Sequence, residues 1–153
     1  ALARRLAVEF YTVFKFLFPL VVLGAGWYQY PFVIFLVIYF LSETFLHILH
    51  LIFLSDIHSA AVSYRRSLIL IFLHYAEVVF DFAVLYMAFD LLSRPMDPVA
   101  AVYFSLVATT TVGFGDIYAL NSAGQVLVMT QLTVCVAFIV VFINYFSQRM
   151  SEK

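Results

Sequence analysis

Residues 109–116 read Thr-Thr-Thr-Val-Gly-Phe-Gly-Asp. They lie between two long apolar segments, at the end of an amphipathic stretch over 98–109. Turning successive backbone carbonyls to one side requires positive φ at alternate residues, a region that glycine enters at little cost. Gly113 and Gly115 flank Phe114 at that alternation. A strand so built offers main-chain oxygens in a row, which can replace the water a cation has shed. The Thr111 hydroxyl adds one more oxygen at the inner end. The competing reading is a Gly-rich turn between two helices. A lone Gly-x-Gly would deserve it; six ordered residues in a membrane setting do not.

That setting follows from composition. Of 153 residues, 65% are hydrophobic and only 11% are charged, more apolar surface than a soluble domain of this size needs. The chain therefore reads as an integral membrane protein. A formal net charge of −1 argues against nucleic acid as a partner. Cys135, the single cysteine, lies in an apolar run, which excludes an intrachain disulfide and any cysteine-based zinc motif.

A spanning helix needs about 20 mostly apolar residues. Candidates are 10–28, 32–54, 67–92 and 123–146. Lys15 lies inside the first and Pro19 breaks its middle; Lys15 is expected to snorkel to the nearby cytoplasmic interface. Arg4-Arg5 followed by Gly24-Ala25-Gly26 could mimic a secretory signal. Glu9 and Lys15 interrupt that stretch, and Trp27-Tyr28 resembles an interfacial anchor, so a retained first helix is expected. The absence of an initiator Met points to a trimmed start. A turn at Tyr30-Pro31 and a polar connection at 55–66 separate the spans. Two units are expected: an N-terminal helix pair over 1–58 and a second unit over 59–153. Four spans put both termini on one side, with Arg4, Arg5, Lys15, Arg65, Arg66, Arg149 and Lys153, against Arg94 alone opposite. The positive-inside rule makes the termini cytoplasmic in a multi-pass protein of the cell membrane.

Thr111-Val112-Gly113-Phe114-Gly115-Asp116 resembles the signature of the potassium-channel family, with Phe in the slot that holds Tyr or Phe. The resemblance covers roughly 97–146 and takes 67–92 as the outer helix. It implies an all-α membrane protein of prokaryotic channel type. Four transmembrane helices, a re-entrant pore helix at 98–109 and a filter loop at 111–116 would make each subunit of a homotetramer. Three identical subunits and the lipid bilayer are then the partners. One strand cannot surround an ion, which agrees with several copies. Potassium ions are the permeant ligand, held by the carbonyls of Thr111, Val112, Gly113 and Phe114, with Gly115 at the outer mouth. No other cofactor and no enzymatic reaction are expected.

By the same resemblance Tyr103 and Phe104 fall where an aromatic cuff stands behind the filter. Asp116 falls where a carboxylate bonds that cuff, so a Tyr103–Asp116 hydrogen bond is expected. Val107 stands where some relatives carry a buried Glu. The last span would line the pore, and Val136, Ile139, Ile143 and Ser147 repeat at helical spacing as a candidate hydrophobic gate. The same stripe could face lipid or the outer helix. Neither Gly nor Pro follows Gly124 in this span, and Cys135 occupies the place of the hinge glycine of many relatives.

Ionisable groups also lie within the spans. Glu43, His47 and His50 share one helix face, as do His74, Glu77 and Asp81. Each costs about 2.5–3.5 kcal/mol in the bilayer centre, so they should find partners. His47 with Glu77 or His74, and Glu43 with Asp81, are the expected pairs. Interhelical glue, a proton-sensing switch and a His/Glu metal site are the three readings. Voltage sensing is not supported, because the first two spans offer only Lys15. A regulatory domain, if one acts, would come from a longer parent or another subunit. Two rivals remain: a pore-like subunit of a potassium uptake transporter, and a membrane enzyme built on the His/Glu cluster. The transporter usually carries four degenerate filter loops, and the enzyme leaves residues 109–116 unexplained.

Overall fold

The computed structural model describes residues 2–54 and 64–151. Among these described residues five α-helices follow one another: α1 Leu2–Ala25, α2 Pro31–Leu54, α3 Tyr64–Phe89, α4 Pro98–Thr109 and α5 Ser122–Ser151. A short 3-10 turn, Trp27–Gln29, joins α1 to α2. The connection expected at 55–66 and the unit boundary at 58 fall largely on 55–63, outside the described residues.

Four helices are long and apolar enough to cross a membrane, over Leu6–Ala25, Pro31–Phe53, Arg66–Phe89 and Ser122–Asn144. At 20 to 24 residues each they match the bilayer core, whereas α4, at 12, is too short. The protein is thus all-helical and multi-pass. The helix at α1 runs unbroken through Pro19. Proline removes only its own N–H, so the carbonyl four residues earlier loses a donor while the turns on either side persist. The helix at α5 is likewise continuous past Cys135, which is buried within it.

The rod around which the others assemble is α3. Half of its apolar window is buried, against 22% to 33% for the other three. The partners of α1 and α4 lie mainly on α3, while α2 packs on α3 and α5. The core runs along this rod through Val78, Phe82, Ala83 and Tyr86, joined by Ile48 of α2 and by Val134 and Phe138 of α5.

Local chemistry sets the ends of α4 and α5. Asp97 caps α4 by accepting a hydrogen bond from Ala100 N at 2.7 Å, and Pro98 occupies the first turn, where its missing N–H is harmless. Asn121 Oδ1 accepts from Gly124 N at 2.9 Å and starts α5. Between them the chain folds back on the end of α3. Ser93 N donates to Tyr118 O at 2.9 Å, and Leu120 N donates to Leu91 O at 2.8 Å. Gly124 is there because nothing larger fits: a Cβ would lie 2.7 Å from Leu91 O. Gly124→Ala is therefore expected to lower stability by about 1–3 kcal/mol, the usual cost of overpacking. Thermal denaturation in detergent would check it, and an unchanged midpoint would mean that this clasp yields easily.

Candidate functional site

The loop after α4 begins with the last turn of that helix still bonded: Thr110 N to Leu106 O, Thr111 N to Ala108 O and Val112 N to Val107 O. Positive φ then recurs at every second residue, 58° at Thr111, 61° at Gly113 and 77° at Gly115. The sequence marks only the two glycines of this series. Thr111 extends it although a β-branched residue resists that region, at a cost of about 1–2 kcal/mol. Residues 111–116 are all exposed on the single chain, with Val112 at 55% and Phe114 at 68%.

Tyr103 of α4 stacks on Phe114, with the ring planes 1° apart and the centroids 6.5 Å apart. Desolvation raises the Tyr103 phenol above its ordinary value, and the Asp116 carboxylate, in hydrogen-bonding approach, raises it further. Phe104 points the other way, buried edge-on against Tyr86 of α3 with the centroids 4.9 Å apart. It also borders an apolar cleft of about 550 Å³ behind the loop, shared with Val107, Thr111, Gly113, Gly115 and Met129. Val136, Ile139 and Ile143 form an exposed stripe on α5 at 59%, 48% and 62%.

What holds α4 in place is a hydrogen-bond web that the sequence reading did not single out. Gln131 of α5 is fully buried. Its Nε2 lies 2.8 Å from Ser105 Oγ, 3.0 Å from Ser105 O and 2.7 Å from Thr109 Oγ1, and its Oε1 accepts from Tyr86 OH at 2.7 Å. Ser105 Oγ donates to Val79 O at 2.6 Å, and Thr109 Oγ1 donates to Ser105 O at 2.7 Å. Tyr75 OH reaches Thr109 O at 3.4 Å. Every hydroxyl proton in this web has an acceptor, as a buried polar group in an apolar interior requires. An amide inside an otherwise apolar run was the signal available in the sequence.

The second group of polar residues lies among α1, α2 and α3. Its centre is Lys15, which the sequence reading expected to snorkel; instead it is 1% exposed. Its Nζ lies 2.7 Å from Thr44 Oγ1, 3.2 Å from Phe40 O, 3.3 Å from Glu77 Oε1 and 3.4 Å from Glu43 Oε2. Four protein acceptors nearby make water unnecessary, which is why the ammonium stays inside. Thr44 Oγ1 in turn donates to Glu77 Oε1 at 3.1 Å, and Tyr11 OH donates to Glu43. His74 Nδ1 meets Glu77 Oε2 at 2.9 Å, and the His47 ring lies 5.5 Å from that of His74.

The expected pairs are thus redistributed. His47 does meet His74, but Glu77 is held by His74 and Lys15, and Glu43 is held by Lys15 and Tyr11 rather than by Asp81. Asp81 is fully buried, and its two carboxyl oxygens meet no hydrogen-bond partner. His50 lies on the exposed side of α2. Among the described residues no three His, Cys, Asp or Glu side chains converge as a metal site would require. Near one end of this interface Arg66 Nε sits 2.6 Å from Glu9 Oε1, an ion pair by distance, although that N–H is not aligned for a hydrogen bond.

A family model described as an ion channel matches residues 68–152. The match begins in α3 and takes in α4, the loop at 111–116 and α5. No curated protein and no solved structure matches the chain.

Proposed function

The chain belongs to that ion-channel family, and from this premise we propose that it conducts potassium selectively and passively through a homotetrameric pore. Four copies of residues 111–115 surround a central axis in this reading. The carbonyls of Thr111, Val112, Gly113 and Phe114 replace the hydration shell of potassium. The Thr111 hydroxyl closes the inner end, and Gly115 forms the outer mouth.

The observation that carries the reading is the alternation of positive φ at Thr111, Gly113 and Gly115, directly after a helix too short to cross the bilayer. Such an alternation turns successive carbonyls to one side, and the exposed edge it leaves on a single chain needs partners. The C-terminal end of α4 adds a partial negative charge beside the ion path. The Tyr103 and Phe114 rings, stacked and flanked by Asp116, brace the mouth. Val136, Ile139 and Ile143 line the inner passage on α5 and supply a dewetting gate. Phe104 supports the filter indirectly, through Tyr86. Both termini are cytoplasmic, as the distribution of basic residues favours.

Reconstitution in planar bilayers tests the proposal. With potassium on one side and sodium on the other, unitary currents should reverse near the potassium equilibrium potential. Reversal near zero would remove the selectivity. Slow, saturable flux without unitary currents would favour the uptake-transporter reading instead.

A further inference from the structure

We propose that Gln131 is a positioning residue for selectivity: through Thr109 it fixes the end of α4 from which the ion-coordinating strand departs. This role rests on the filter reading above.

The argument starts from where the strand is anchored. Thr109 is the last residue of α4, and the positive-φ series begins two residues later, at Thr111. The direction in which Thr109 leaves the helix therefore sets the direction of the strand. Two side chains from other helices grip Thr109. Gln131 Nε2 takes its hydroxyl oxygen at 2.7 Å, and Tyr75 OH approaches its carbonyl at 3.4 Å. The Gln131 bond is the shorter and is fully buried.

The amide orientation of Gln131 is itself dictated. Tyr86 OH donates to Oε1, so Oε1 must face α3 and Nε2 must face α4. Nε2 has two hydrogens, and its shortest contacts are the hydroxyls of Ser105 and Thr109 at 2.8 and 2.7 Å, with Ser105 O at 3.0 Å. Ser105 Oγ spends its own proton on Val79 O, and Thr109 Oγ1 spends its proton on Ser105 O. Both hydroxyls are then left as acceptors toward Gln131. With its donors and acceptors matched in this way, the web ties all three helices together through Gln131 and Ser105, and Gln131 reaches the Thr109 hydroxyl from another helix. A helix-only role would need the Ser105 contacts alone; the bond to Thr109 reaches the residue that launches the strand.

The test compares reversal potentials of reconstituted wild type, Gln131→Leu, Tyr86→Phe, Thr109→Val and the Gln131→Leu/Thr109→Val double variant. Gln131→Leu is expected to lower the potassium-to-sodium permeability ratio by about five- to tenfold, the effect of leaving its buried partners unmatched in each subunit. Tyr86→Phe should lower it in the same direction but less, because Gln131 then loses one donor and the orientation it gave but keeps its bonds to α4. Thr109→Val should resemble Gln131→Leu, and the double variant should fall no further, since both remove the bond between Gln131 and Thr109 on which the role rests. An unmoved ratio in Gln131→Leu, with only a lower melting temperature, overturns the role; so do multiplicative effects in the double variant. Should Gln131→Leu fail to assemble, an unmoved ratio in Tyr86→Phe overturns it equally. A wild type without potassium preference removes the filter reading and this role with it, whereas a selective wild type with unmoved variants removes this role alone.

Discussion

Lys15→Met is expected to cost about 3–5 kcal/mol, because it leaves Glu77 buried and without its cation. The side chain of Glu77 is fully enclosed, and Lys15 Nζ at 3.3 Å is its counter-charge. Glu43 and the Thr44 hydroxyl lose the same donor. Methionine fills a similar volume, so packing changes little and the loss isolates the charge. Removing both charges should differ. Lys15→Met with Glu77→Gln replaces the pair by neutral groups, and buried pairs so replaced commonly leave stability near its starting value. Thermal denaturation of the detergent-solubilised protein would compare the two. A single variant within about 1 kcal/mol of wild type would mean that apolar packing alone holds α1. A double variant as weak as the single one would mean that Lys15 serves Glu43 instead.

Gly113→Ala is expected to abolish potassium-selective current while leaving membrane insertion intact. The φ of 61° there costs an L-residue about 1–2 kcal/mol, and the proposed tetramer would repeat that cost four times around one ring. A Cβ at this position meets nothing within 4 Å in the protomer, so the damage comes from the backbone. Gly24→Ala supplies the control. That glycine also has nothing within 4 Å of a Cβ but lies inside α1 without positive φ, so its current should be unchanged. Bilayer recordings paired with surface labelling would decide. Selective current in Gly113→Ala would show that the ring tolerates a right-handed unit and would remove the alternation as its basis.

Much of the backbone was legible. The bounds expected for α4 were 98–109, and the helix occupies Pro98–Thr109. Asp97 and Pro98 explain this, since a capping carboxylate followed by a residue without N–H is a strong local start signal. The spans were found by length and apolarity, which are properties of each segment alone. Lys15 was misjudged for the complementary reason. A lysine near a helix end looks free to reach water, and only the packing of α1 against α2 and α3 reveals four acceptors around it. Asp81 was expected to share a proton with Glu43, because helix-face spacing gives direction but not depth or rotation. The φ of Thr111 was invisible because β-branched propensity opposes it. Its neighbours impose it, held by the bonds from α4 on one side and the glycine alternation on the other. Gln131 carried a visible signal, an amide in an apolar run, but its partners lie on two other helices.

The stretch from Thr109 to Leu120 is moored at one extremity to α3 and at the other to the segment that directly follows α3. Tyr75 OH approaches it at one extremity, and Leu91 and Ser93 hold it at the other. A string fastened to a stiff beam and to the short segment continuing from it moves with the beam when the beam leans. Lateral pressure from the lipid against α3 would therefore carry this string along without stretching it, and the gaps between its oxygens would survive a displacement of the scaffold behind them.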